Sequence, residues 1–111
     1  MSKDKKQGHE LEIGGKKYTM PKMSTPAYLD YCDISEELDG ITYYRRQHYN
    51  KMAQGIALAY GNQFTVEDIF DAEKGLSPAE IILEFSLLEV SILREVNDRA
   101  EEYGENFTSS T

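Results

Sequence analysis

Hydrophobic and polar positions alternate with period two near the start of the chain and with helical period after it. Residues 10–13 and 16–20 each alternate polar and apolar side chains, and Gly14 and Gly15 lie between them. Two short strands around two glycines are typical of a β-hairpin, because glycine accepts the positive φ angles of a tight turn. A lone hairpin is marginal in water, so the pattern predicts that it packs on another element.

Apolar residues that recur at steps of three and four predict four helices after the hairpin. Thr25 and Ser77 each precede a proline, which indicates a helix start, because the hydroxyl caps free N–H groups and proline fits the first position. Gly55 lies inside the second helix and costs roughly 1 kcal/mol relative to alanine; alternatively, it lets a neighbouring helix approach closely. The helices are predicted between residues 25 and 40, 42 and 60, 65 and 72, and 78 and 103.

The last predicted helix carries more apolar surface than one stripe requires. Its main stripe consists of Ile81, Phe85, Leu88, Ile92, Val96, Ala100 and Tyr103. A second apolar face beside that stripe consists of Ile82, Leu83, Leu87, Val90 and Leu93. A surface helix of a small monomer needs a stripe of only about 100°, so this wider surface predicts burial on two sides. Either the domain wraps around this helix, or part of the surface meets another copy or a partner.

These elements predict a mainly α fold: a small four-helix domain with an N-terminal β-hairpin and a long C-terminal helix. The chain has 111 residues, which fits one domain. Residues 1–9 are expected to form a disordered tail and residues 10–103 the single domain. Gly104 is expected to end the last helix, which leaves residues 104–111 as a flexible C-terminal tail.

The charge of the chain narrows the class of partner. The net charge is −8 at pH 7, which opposes binding to nucleic acid and to anionic membranes. It permits binding to a basic protein segment, and it also favours solubility by itself. The chain shows no signal peptide and no apolar stretch approaching the ~18 residues of a membrane span. We therefore expect a cytosolic protein with no nucleic-acid or membrane partner.

Motifs that carry chemistry are missing from the sequence. His9 and His48 belong to no spaced ligand pattern of the kind that a zinc site needs. Asp30, Asp33 and Glu37 form a carboxylate row opposite the apolar stripe of the first helix, so we expect a solvated face. No phosphate loop or nucleophile motif is present. The sequence predicts a protein that is not an enzyme, with no catalytic residue, metal or cofactor.

Two stretches, taken together, resemble one protein family. Residues 13–23 read Ile-Gly-Gly-Lys-Lys-Tyr-Thr-Met-Pro-Lys-Met. Residues 64–71 read Phe-Thr-Val-Glu-Asp-Ile-Phe-Asp, and Leu76 and a capped long helix follow. In this order and spacing they are similar to the tail assembly chaperones of those siphoviruses, or long-tailed bacteriophages, that infect Gram-positive hosts. Residues 72–75 depart from the family pattern, which often runs directly to Gly-Leu, and leave the local turn open.

The resemblance implies a non-catalytic chaperone that binds the tape measure protein and the tail tube subunit during tail assembly. Such chaperones work in the host bacterial cytoplasm, are displaced as the tube polymerises and are absent from the mature virion. They are often made in two lengths by ribosomal frameshifting. We hypothesise that six residues contribute to self-association or client binding: Tyr43, Tyr44, Ile82, Leu83, Leu87 and Val90.

Two other functions stay open at this stage. One is a phage structural, connector or scaffold component that remains in the particle, which mass spectrometry of purified virions would distinguish. The other is a small acidic regulatory module, such as an antitoxin-like protein, which would co-purify with one basic partner.

Overall fold

The computed structural model describes residues 9–110, with side chains as far as residue 102. Its elements are β1 (Glu10–Ile13), β2 (Lys16–Thr19), α1 (Thr25–Leu38), α2 (Arg46–Ala59), α3 (Val66–Phe70) and α4 (Pro78–Ser110). The predicted fold class is confirmed, because the described residues form four helices after an N-terminal hairpin and the last helix is the longest.

The hairpin pairs β1 with β2 in antiparallel register, with Ile13 opposite Lys16. Gly14 and Gly15 form the turn with φ angles of 62° and 82°. Leu11 and Ile13 are buried in the main core, whereas the residues between and before them are exposed. The hairpin therefore rests one face on the helices, as the alternating pattern predicted.

His9 holds the start of the hairpin against α4. Its Nε2 lies 2.9 Å from Oε1 of Glu84, and its carbonyl oxygen accepts a hydrogen bond from the N–H of Met20 at 2.8 Å. His9 thus belongs to the folded domain and not to the predicted disordered tail. The rest of that tail, residues 1–8, lies outside the described residues.

The start of α1 is displaced by one residue from the predicted cap. Ser24, and not Thr25, is the N-cap: its Oγ accepts a hydrogen bond from the N–H of Ala27 at 3.3 Å. Ser24 has the extended backbone of a cap residue, whereas Thr25 is already helical. The helix ends at Leu38, and Gly40 follows with a φ of 79°.

The predicted start of α2 at Thr42 is wrong, because the helix begins at Arg46. Arg45 is the N-cap with extended backbone, and its N–H donates to Nδ1 of His48 at 2.8 Å. This imidazole bond satisfies one free N–H group at the helix start. Residues 43–44 consequently lie in the connection before the helix.

Thr65 caps the start of α3. Oγ1 of Thr65 accepts from the N–H of Asp68 at 3.1 Å, and Oδ2 of Asp68 accepts from the N–H of Thr65 at 2.9 Å. The helix ends at Phe70, two residues before the predicted end at Ala72. Ile69 is fully buried, whereas Phe70 is 40% exposed.

Asp71 organises the turn at residues 72–75, whose geometry the family pattern does not predict. Its Oδ1 accepts hydrogen bonds from the N–H groups of Lys74 and Glu73, both at 2.9 Å, and these bonds lower the pKa of Asp71 below its ordinary value. Gly75 is required there, because a Cβ would collide with the carbonyl oxygen of Ile69 and the backbone of Asp71. The three residues between Asp71 and Gly75 are thus accommodated by a side-chain-capped turn.

The first half of α4 contributes one buried stripe to the core, whose central helix is α2. Ile81, Phe85 and Leu88 are buried, and α4 packs mainly on α2. A Cβ at Gly55 would lie 2.9 Å from Cε1 of Phe85 and 3.4 Å from Cδ1 of Ile34. Gly55 therefore permits a close approach of three helices, which confirms that alternative.

The second half of α4 extends beyond the rest of the domain. Val96 continues the buried stripe but is 53% exposed, and all side chains from residue 93 to 102 are exposed. The radius of gyration is 16.1 Å, against about 13 Å for a compact domain of this length. The predicted helix end at Gly104 is wrong, because α4 continues to Ser110 and glycine only weakens a helix. The flexibility of residues 104–111 stays a prediction.

Candidate protein-interaction surfaces

Three of the six predicted interaction residues share one uncovered face of α4. Leu83, Leu87 and Val90 are spaced by four and three residues, which places them on one side of a helix. Leu83 is 59% and Val90 45% exposed, and Leu87 is half-buried. This side lies opposite the buried stripe, and we call these three residues the back face.

A groove runs beside the back face, between α4 and the connector formed by residues 20–23. It has a volume of ≈ 400 Å³, and Leu87 and Val90 line it. Its charged lining residues are Lys22, Arg94, Glu95 and Asp98, with His9 at one side. Both signs of charge are present, so this connector groove selects no particular charge on a partner.

Ile82 and Tyr44 lie on another side of α4, next to α1. Both are half-buried and pack against the core, and the ring of Tyr44 meets that of Tyr49 edge-to-face at 6.2 Å. Tyr43 lies apart in the connection before α2 and is 74% exposed. The structure therefore distributes the predicted residues over separate surfaces and does not bring all six together.

A second groove follows the line along which α1 and α4 meet, and we call it the seam groove. It consists of two adjoining depressions of ≈ 360 and ≈ 340 Å³, which share Tyr31, Ser35, Asp39 and Glu89. One depression reaches Leu93 and the other reaches Ile82. Since these residues span eleven steps of α4, the groove is about 17 Å long at ~1.5 Å per residue.

The seam groove combines apolar surface with negative charge. Tyr28 and Leu93, at 38% and 52% exposure, supply apolar surface at one end. Among the described residues that line the groove, the charged ones are Glu36, Asp39 and Glu89, and all are acidic. The groove therefore favours a partner that is both apolar and basic.

Tyr31 ties this charge to the wall of the groove. Its hydroxyl donates to Oε1 of Glu89 at 3.3 Å. Burial raises the pKa of Tyr31 to about 12, and the nearby Glu89 carboxylate adds to the effect. The phenol is therefore a neutral donor that orients Glu89 without cancelling its charge.

A family model described as phage tail chaperone protein matches residues 1–102. The match includes the hairpin, α1, α2, α3 and α4 as far as residue 102. The chain belongs to the phage tail chaperone family. Searches of curated proteins and of solved structures gave no match.

Membership in the phage tail chaperone family confirms the resemblance seen in the two sequence stretches. A tail chaperone implies protein partners in tail assembly. For such a protein the relevant geometry is the apolar surface that the domain leaves uncovered. In this tail chaperone that surface includes the back face, the seam groove and the projecting half of α4.

Several residues of the seam groove were missed in the sequence. Tyr28 is not on the apolar stripe of α1, and Glu36 and Asp39 looked like ordinary solvated acids. The predicted acidic row is indeed exposed: Asp30, Asp33 and Glu37. Only the packing of α1 on α4 separates the acids that line a groove from those that face solvent, and a single sequence carries no signal for that pairing.

In the part of the chain that the structure describes, no group of three or more His, Cys, Asp or Glu side chains is placed to hold a metal ion. No described helix is long and apolar enough to cross a membrane. Cys32 is a free, half-buried thiol of α1 and lines the seam groove.

Proposed function

We propose that this tail chaperone binds the tape measure protein and the tail tube subunit during phage tail assembly, and that it self-associates through apolar surface on α4. It acts by binding and release without catalysis. It works in the host bacterial cytoplasm and is absent from the mature virion. Family membership supports the general role, and the uncovered surface of α4 supports the mode of action.

The back face is the observation that carries this proposal. The core already takes the stripe of Ile81, Phe85 and Leu88, so the back face is a second stripe that the domain does not use. Leu83 and Val90 remain about half exposed. Exposed apolar side chains grouped on one side of a helix favour protein binding.

The charge of the molecule suits a chaperone that holds an apolar client. A client segment bound to the back face buries its apolar side chains against α4, while the acidic remainder of the domain faces water. The net charge of −8 keeps such a complex soluble through mutual repulsion. Release then needs only a competitor for the same client surface, such as the growing tail tube.

Co-expression with a fragment of the tape measure protein from the same phage tests the proposal. The wild-type chain is expected to keep the fragment soluble and to co-purify with it. The double variant Leu83→Ser/Val90→Ser is expected to lose its binding to the fragment while retaining its own fold, because both side chains are about half exposed and lie outside the core. The matched control is Leu29→Ser/Phe70→Ser, which changes two exposed apolar residues elsewhere and should retain the fragment.

Two results would contradict the proposal. A wild-type chain that stays monomeric at high concentration and leaves the fragment insoluble would remove the chaperone role. Detection of the chain in purified virions at the copy number of a structural protein, by mass spectrometry, would show that it remains in the particle.

A further inference from the structure

We propose that the seam groove between α1 and α4 binds a basic amphipathic helix of a partner protein. The inference deepens the proposed function and rests on it for the source of the helix, which is a segment of a tail-assembly client. The back face and the seam groove are then two separate docking surfaces on α4, distinguished by charge.

The shape of the groove fits one face of a helix. Its length of about 17 Å corresponds to roughly three helical turns, and its two walls are themselves helices. Ile82 lies at one end and Leu93 at the other, with Phe85 between them. Helices that dock in such grooves insert apolar side chains at spacings of three and four residues.

The line of the groove continues past the domain along the projecting half of α4. Glu89, Leu93 and Val96 are spaced by four and three residues, so they share one side of the helix. Leu93 and Val96 are 52% and 53% exposed. A bound helix longer than three turns would therefore remain in contact with apolar surface after leaving α1.

Charge decides which helix binds. Glu36 and Asp39 lie on the α1 wall and Glu89 on the α4 wall, and no described basic residue lines either depression. Lysine or arginine side chains that flank the apolar stripe of a partner would meet these carboxylates, whereas acidic flanks would be repelled. The connector groove, which contains both signs of charge, offers no such selection.

Charge also argues against a second copy of this chain as the occupant. Each copy has a net charge of −8, and α1 presents further exposed acids, among them Asp30, Asp33 and Glu37. Placing such a surface against the groove would bring like charges together. A basic client suffers no such penalty.

Peptide binding to the full chain tests the charge preference. Two labelled helical peptides of about 18 residues, roughly 27 Å long, would share one leucine stripe, with lysine and arginine flanks in one and glutamate flanks in the other. Fluorescence anisotropy is expected to show saturable binding of the basic peptide, weakened by salt, and no binding of the acidic peptide. Equal binding of both peptides, or binding of neither, would overturn the proposal.

Neutralising the groove locates the binding. The variant Glu36→Gln/Asp39→Asn/Glu89→Gln is expected to weaken binding of the basic peptide roughly tenfold. The amide oxygen introduced at position 89 can still accept the hydrogen bond from the hydroxyl of Tyr31. The control Glu12→Gln/Glu67→Gln/Glu73→Gln removes the same number of charges outside the groove. The affinity of this control for the basic peptide should stay within about twofold of the wild-type affinity. Equal losses of affinity in both variants would show that net charge, and not the groove, causes the effect.

An apolar pair of variants separates the two surfaces of α4. Leu93 and Leu83 are similarly exposed, at 52% and 59%, but Leu93 lines the seam groove and Leu83 belongs to the back face. Leu93→Ala is expected to weaken binding of the basic peptide about threefold or more, whereas Leu83→Ala should leave its affinity unchanged. The reverse order would place the peptide on the back face and overturn the proposal.

The groove and the proposed function can fail separately. If the triple groove variant loses the basic peptide but still retains the tape measure fragment, the groove is not the client site and the chaperone role stands on the back face. If wild type binds the peptide but does not hold the fragment, the chaperone role fails and the charge preference stands. A change in oligomeric state on neutralising the groove, measured by sedimentation, would make a second copy the occupant and overturn the proposal.

Discussion

Gly55 lies in the middle of α2 at the point where Phe85 and Ile34 meet over it. Glycine is costly inside a helix, by roughly 1 kcal/mol relative to alanine. The contact that it permits among α1, α2 and α4 offsets that cost. From the sequence alone, the same glycine was either a weak point or a place of close approach, and only the position of Phe85 distinguishes the two.

We predict that Gly55→Ala lowers the free energy of unfolding by about 1–2 kcal/mol, because overpacking against Phe85 exceeds the gain in helix propensity. Urea denaturation followed by circular dichroism measures the change. Gln54→Ala, at an exposed neighbouring position, should stay within about 0.5 kcal/mol of wild type. An equal or higher stability of Gly55→Ala would show that the ring of Phe85 moves aside without loss.

At the scale of the element, the helix starts differ in how much of their capping is local. Ser77 and Glu80 form a reciprocal cap at the start of α4: Oγ of Ser77 accepts from the N–H of Glu80 at 3.2 Å, and Oε1 of Glu80 accepts from the N–H of Ser77 at 2.8 Å. Such caps are visible in the sequence because all partners lie within four residues. The start of α2 depends instead on the imidazole of His48, a less common acceptor, and was predicted four residues too early.

Ser77→Ala is expected to lower the free energy of unfolding by about 1 kcal/mol, the usual effect of losing a side-chain cap. Ser86→Ala in the same helix is the control. Ser86 is exposed and its hydroxyl donates to the carbonyl oxygen of Ile82, which caps no free N–H group, so its effect should stay within about 0.5 kcal/mol. Equal losses of unfolding free energy for Ser77→Ala and Ser86→Ala in urea would mean that the cap does not stabilise α4.

At the scale of the whole molecule, α4 has two halves with different surroundings. The half that includes Phe85 and Leu88 packs on α2 in the core, whereas the half beyond Ile92 lies outside the core. Stability and binding surface are thus separated along one helix. Residues that project from the body can serve a partner without weakening the fold.

A chain that ends after Arg99 is therefore expected to unfold with a free energy within about 0.5 kcal/mol of the full chain, because the side chains from residue 93 to 102 are already exposed. Its far-ultraviolet circular dichroism should fall in proportion to the helical residues lost. A loss of stability above about 1 kcal/mol in urea would show that the projecting half packs on the domain.

Much of the architecture can be predicted from the sequence, because the patterns that indicate it are local. The hairpin turn at Gly14 and Gly15 and the cap at Ser77 involve residues close together in the chain, and each of the two stretches that carry the family likeness is itself short. Four of the six proposed interaction residues came from the surplus apolar surface of the last helix, and the structure places Ile82 apart from Leu83, Leu87 and Val90. Helical spacing shows which residues share a side, but not which side a neighbouring helix covers.

The sequence by itself determined the class of fold, the order of its elements and the family, because periodicity, turns and caps act over a few residues. The tertiary structure alone decided where α2 begins, how far α4 extends past the body and which acids line a groove. Those features depend on distant residues meeting, as Tyr31 meets Glu89 and Gly55 meets Phe85. Packing energy is shared among such contacts, so no single stretch of sequence contains it.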